Sequence, residues 1–319
     1  MSQSDGGYCI FCGMRLPQKA ANLRPDDVKS LGNQLLPIVE DKNRTDIQVS
    51  TLWVIIPFVV LLILGIVMVA IIFAEAIDLV QSDQYDPDDP TASYDLLTSD
   101  TVLLSAATIA VYLFLTRLTY DLVKRHNLHF EREWKLRNTV SSFVSRVTGE
   151  RFGFYSMEKV ETKRSPALWA SVIILPSLVS MLWIVLIALD AEDGDIDVRL
   201  ASLVLLLQLC LSLLLLVAQF YLFYFLTSDM ANHHKRWMAF VHDTRILLAH
   251  FGYTAGWLTE PRRLNDRSVA VYVVASIFTG GLFLFYWWYA IVKDGNEHMR
   301  HHRVFERELM ELLAKPETT

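Results

Sequence analysis

Apolar residues along this chain gather into long unbroken runs, not into an alternating or evenly scattered pattern. The runs cover roughly 52–73 (LWVIIPFVVLLILGIVMVAIIF), 101–116, 167–189, 200–226 and 268–292. A helix needs about 20 predominantly apolar residues to cross ~30 Å of hydrocarbon. The first, third and fourth runs meet that length directly, and the second meets it when extended through Arg117–Tyr120 into the headgroup layer. The fifth is long enough but is interrupted by Thr279-Gly280-Gly281. The expected fold is all-α: a polytopic helical membrane protein with four transmembrane helices and a fifth apolar element, either a re-entrant hairpin or a single span.

Between the runs the apolar period changes to about 3.6. Phe130, Trp134, Phe143, Val144 and Val147 form one stripe, and Trp237, Phe240, Val241, Leu248 and Phe251 a second. Phe305, Leu309, Leu312 and Leu313 form a third. Basic residues lie between these positions, which predicts amphipathic helices that lie on the bilayer surface or pack together beneath it.

Composition agrees with the pattern, since 53% of the 319 residues are apolar, more than one soluble core would use. The charge is divided unevenly. Segment 74–100 has no Lys or Arg against eight Asp and Glu, and 190–199 has Arg199 alone against five. Segments 1–50, 121–166, 227–267 and 293–319 carry six, ten, six and five Lys and Arg. Basic flanks stay cytoplasmic, so these four segments are expected inside a plasma membrane and the acidic loops outside. The first fifty residues are polar, and the first apolar run is too long for a cleaved signal, so it reads as a signal anchor. Five single crossings would carry the basic 293–319 tail outside. A hairpin turning at Gly280-Gly281 keeps it inside, because two halves of about a dozen residues are each only ~18 Å long as helices.

The chain also resembles itself. Leu52, Trp53 and Pro57 open one run, and Leu168, Trp169 and Pro176 another. The returning runs close on Leu118-Thr119-Tyr120-Asp121 and Leu226-Thr227-Ser228-Asp229. This divides the chain into a segment 1–50, membrane repeats 51–150 and 166–252, and a shortened repeat 268–319. Each ends in an Asp followed by histidines: His126 and His129, then His233 and His234, then His298, His301 and His302. Seven of the nine histidines lie in these junctions. Four and eight residues after the Asp stand Arg125 and His129, His233 and Trp237, and His298 and His302, and such steps share one helix face.

Two sets of residues have metal-ligand chemistry. Cys9 and Cys12 in YCIFCGMRLP present two thiolates in a tight turn that Gly13 permits. This stretch resembles the short N-terminal zinc ribbons of many prokaryotic membrane and regulatory proteins, which implies zinc at Cys9 and Cys12. The only other cysteine is Cys210, inside an apolar run, so a closed site needs two chains or a histidine. The histidine clusters resemble the boxes of membrane di-iron desaturases and hydroxylases, which would imply oxygen chemistry at His126, His129, His233, His234, His298, His301 and His302. They depart from those boxes in spacing and in number. A non-metal reading places the imidazoles in the headgroup layer, with Asp294 and Glu297 forming a capping box for a final helix. Thr279-Gly280-Gly281 and Tyr286-Trp287-Trp288-Tyr289 resemble a prokaryotic membrane domain family of unassigned function, a resemblance that implies no activity.

Other chemistry is thin. The acidic loop DAEDGDIDVR places its glycine at the wrong position for an EF-hand. Neither a phosphate-binding Gly loop, nor G-x-S-x-G, nor H-E-x-x-H occurs. The interiors of the first, third and fifth runs hold no ionisable residue, which disfavours a coupled transporter. The expected function is a non-enzymatic, homo-oligomeric membrane scaffold or sensor whose partners are the lipid bilayer and its own copies or other membrane proteins. A di-metal oxidoreductase and an uncoupled channel or transporter are the alternatives.

Overall fold

The computed structural model describes residues 25–81, 94–148, 162–175, 178–179, 198–250, 253, 258–259, 264–265 and 267–314. Apart from short connecting segments, these residues are helical. In chain order the helices are α1 (Pro25–Glu40), α2 (Lys42–Thr45), α3 (Leu52–Gln81), α4 (Tyr94–Thr148), α5 (Pro166–Leu175), α6 (Val198–His250), α7 (Val269–Phe278) and α8 (Leu282–Ala314). Cys9 and Cys12 lie outside the described residues.

Among the described residues, three helices are long and apolar enough to cross a membrane: α3, α4 and α6. Their apolar faces point outward, with Ile55, Ile66 and Phe73 of α3 and Leu203, Leu207 and Leu214 of α6 all exposed. A helix that is apolar all round and unburied suits hydrocarbon and not water. The expected span at 167–189 begins as α5, and beyond it only residues 178–179 of that run are described.

The amphipathic stripes do not form separate surface helices. They continue α4 and α6 without a break for 55 and 53 residues, far more than a bilayer needs, and α8 likewise continues an apolar run into a polar one. No Pro or Gly separates the two halves of α4 or α6, so nothing in the backbone stops the helix. The projecting ends associate, because each carries a stripe that must be buried.

Two apolar cores result. One joins Leu118, Leu122, Leu222, Phe223, Trp287 and Trp288 with the first turns of α3. The other, beyond the spans, joins α1 (Leu31, Leu35), α4 (Leu136, Val140), α6 (Trp237, Phe240) and α8 (Phe305, Leu309). Between them lies a layer of buried polar side chains.

The proposed cap at Asp294 is corrected by the structure. Helix α8 starts at Leu282, directly after Gly280 (φ 58°) and Gly281 (φ 91°), and Asp294 sits well inside it. These two glycines adopt left-handed backbone that other residues rarely tolerate, so the helix boundary falls there. Asp294 instead accepts hydrogen bonds from the guanidinium of Arg267, one at 2.8 Å, and Glu297 faces Arg300 and His301.

Candidate metal centre

The buried layer is built from four-residue steps. On α4 the series Arg125, His129, Glu133 and Arg137 faces inward, and on α8 the series His298, His302 and Glu306 does the same; α6 supplies His233 and Trp237. All nine side chains are buried. Steps of four keep side chains on one face of a helix, and the apolar stripes above and below already fix which face that is.

His129, His233, His298 and His302 converge. One potential ligand nitrogen from each lies within 4.8 Å of the other three, and all four residues are completely shielded from solvent. His129 Nε2 and His298 Nε2 are 3.3 Å apart. That is an N–H···N hydrogen-bond distance between the two rings, and it is also about the nitrogen–nitrogen edge of a tetrahedron with metal–nitrogen bonds of ~2.0–2.1 Å.

The imidazole of His129 is oriented for such a role. Its Nδ1–H donates to Asp46 Oδ1 at 2.8 Å, since an ionised carboxylate can only accept, and its Nε2 lone pair therefore faces the cluster. Burial raises the Asp46 pKa, but His129 and Arg132 outweigh it and hold the carboxyl below its usual range. Arg132 Nη2 donates to the other oxygen of Asp46 at 2.8 Å, while its Nη1 donates to Glu306 at 2.9 Å. Burial pushes Glu306 up to about 7 even though Arg132 pulls the other way. Glu133 reaches Nε2 of His233 and pairs with Arg137 at 3.0 Å. Carboxylates placed behind imidazoles fix the tautomer and the basicity of a metal ligand.

His298 and His302 are held neutral, because burial drives both well below the ordinary histidine pKa, with the neighbouring imidazoles adding to the effect. Neutral imidazole is the form that binds metal. His302 stacks on Trp237, ring centroids 3.7 Å apart, and neither of its ring nitrogens has a hydrogen-bond partner among the described residues. An unpartnered buried polar group costs about 1–3 kcal/mol, and a metal ion removes that cost.

The other junction histidines serve differently. His234 Nδ1 meets His298 Nδ1 at 3.0 Å; because Leu264 N–H donates to His234 Nε2 at 3.3 Å, the neutral His234 ring carries its proton on Nδ1 and donates it to His298. His126 is buried against Phe130, centroids 3.9 Å apart, outside the group of four. His301 is partly exposed, 4.0 Å from Glu297.

Arg125 packs at the edge of the layer, where Nη1 donates to Asn296 Oδ1 at 2.7 Å. Its guanidinium lies directly over Gly295, and a Cβ at that position would stand 2.4 Å from Nη2. Gly295→Ala is therefore expected to cost about 1–3 kcal/mol, the usual penalty for overpacking, since the displaced cation has no solvent to move into. A melting temperature equal to that of the parent protein would contradict this.

No protein family, curated protein or solved structure matches this chain. The fold and the site nonetheless define a class: a helical protein in which two membrane-length helices, α4 and α6, converge with α8 on a buried cluster of four histidines.

Proposed function

We propose that this chain is a non-enzymatic membrane scaffold or sensor in which a single transition-metal ion of the zinc class, bound by His129, His233, His298 and His302, clamps α4, α6 and α8 together. The observation that carries the reading is the convergence of four fully buried imidazoles from three helices, one of them with both nitrogens unpartnered. Four protein ligands close a tetrahedral ion, as in structural zinc sites, whereas catalytic sites keep a position open. Full burial of all four leaves the ion no face toward a substrate.

The charge asymmetry supports a cytoplasmic clamp, at the end of the spans where Lys and Arg collect. Metal arrival or loss then changes how firmly the three helix ends are joined, which is a state a partner can read. Cys9 and Cys12 would form a second zinc site, shared between two chains. Glu133 beside His233 supports a second reading, a carboxylate-assisted di-metal oxidoreductase.

Metal analysis of the detergent-purified full chain separates these readings. The clamp predicts about one zinc-class ion per chain that survives Cys9→Ser and is lost in the double variant His298→Gln, His302→Gln. A shared knuckle adds half an ion per chain, lost in Cys9→Ser. Two irons per chain would establish the oxidoreductase instead, and a metal-free protein that rejects added zinc and cobalt would sink the clamp.

A further inference from the structure

Helices α7 and α8 form a hairpin whose tip is apolar and exposed. At its base Arg267 pairs with Asp294 and donates to the Tyr272 hydroxyl at 2.6 Å. Along its length Tyr272 packs on Phe283 and Trp287, with centroids 5.2 and 5.3 Å apart. At the turn, Ile277 is 66% exposed and Phe278 87%, and Leu282 is also exposed. The turn itself uses the left-handed glycines 280 and 281.

The neighbouring span supplies a depth scale. Asn296 exchanges two hydrogen bonds with the backbone of Val49, just before α3, at 3.1 and 2.7 Å. Phe285 then meets Phe58 of α3, centroids 5.0 Å apart. The two helices thus run antiparallel and in step. The membrane-length stretch of α3 begins at Leu52, so at 1.5 Å per residue Phe58 is about 9 Å inside it, and the glycine turn some 7 Å further on. A tip about 16–17 Å deep stops near the midplane of a ~30 Å hydrocarbon layer, while α3 continues past it.

We infer that the α7–α8 hairpin is a re-entrant element: it inserts Ile277, Phe278 and Leu282 among the acyl chains of one bilayer leaflet and returns to the side it entered from. Three features on the page support lipid as the occupant. The exposed tip continues the outward apolar faces of α3 and α6. Nothing charged lies between Ser268 and Tyr289. Arg267, Asp294 and Tyr272 meet at the base, as anchoring side chains do at headgroup level. The backbone at the turn is also nearly self-sufficient, as membrane burial requires: Gly281 N–H donates to Ser276 O at 2.8 Å, Gly280 N–H to Ile277 O at 3.2 Å and Thr279 N–H to Ala275 O at 3.0 Å. Insertion would set the height of α8, whose His298 lies about 6 Å, one helical turn, past Asp294. The inference stands independently of metal at the histidines.

The test places a fluorescent thiol probe at Phe278→Cys in the full chain with Cys9, Cys12 and Cys210 changed to Ser, reconstituted in phosphatidylcholine vesicles. Nitroxides carried deep in the acyl chains should quench it several-fold more than nitroxides on headgroups, and impermeant maleimide should leave Phe278→Cys unlabelled from either side. Strongest quenching by headgroup nitroxides, labelling by the impermeant reagent, or no lipid quenching at all would overturn the inference. Ile277→Cys reports the same depth if the Phe278 variant fails to fold.

Discussion

Asp46→Ala is expected to destabilise the folded protein by about 3–5 kcal/mol, the penalty for removing one partner of a buried ion pair, and to weaken metal binding by about 10–100-fold, as loss of a carboxylate behind a ligand does. Both effects follow from one residue with three buried partners: Asp46 accepts from His129 Nδ1 and from Arg132 Nη2, each at 2.8 Å, and from Thr45 Oγ1 at 3.1 Å. Without it Arg132 keeps Glu306 as its hydrogen-bond partner among the described residues, and His129 is free to turn its lone pair away from His298. Asp46→Asn separates the two roles, because the amide oxygen can still accept the His129 proton but brings no charge to Arg132. Denaturant or thermal melts of the metal-free protein measure the first effect, and competition with a chelator of known affinity the second. A variant that melts like the parent and holds zinc as tightly would mean that the Asp46 contacts carry no weight.

The second large effect is expected at Trp237. Its side chain is fully buried, stacks on His302, and meets Phe305 edge-on at 5.3 Å. It belongs at once to the bundle core and to the wall of the histidine cluster. Trp237→Ala should cost about 3–5 kcal/mol through the cavity it leaves, and should lower metal affinity because His302 loses the surface that holds its ring. Trp237→Phe should cost much less. It keeps an aromatic face and removes an indole N–H that has no acceptor among the described residues. Equal losses in the two variants would show that ring stacking is not what matters there.

Much of this arrangement could be read from the sequence, and the reasons are local. Apolar runs of membrane length require helices whatever surrounds them, because unpaired backbone is too costly in hydrocarbon. Gly280-Gly281 marks the break in the last run, because only glycine takes positive φ cheaply. The four-step stripe after each junction Asp picked out Arg125, His129, His233, Trp237, His298 and His302, all of which are buried. Following that stripe one turn further would also have found Glu133 and Glu306.

Tertiary structure decided the rest. A helical stripe shows which residues share a face but not what the face meets, so convergence of His129, His233, His298 and His302 became visible only when α4, α6 and α8 came together. Asp46 is 83 residues from His129 in a segment with no periodic signal, and nothing local marks it as a partner. The capping reading of Asp294 and Glu297 followed a valid local rule, but α8 already begins at the glycine turn and its packing against α3 and α7 carries the helix through Asp294. Local chemistry thus set the helices and their inward faces, whereas long-range packing set which faces meet and which imidazoles lie within reach of a single ion.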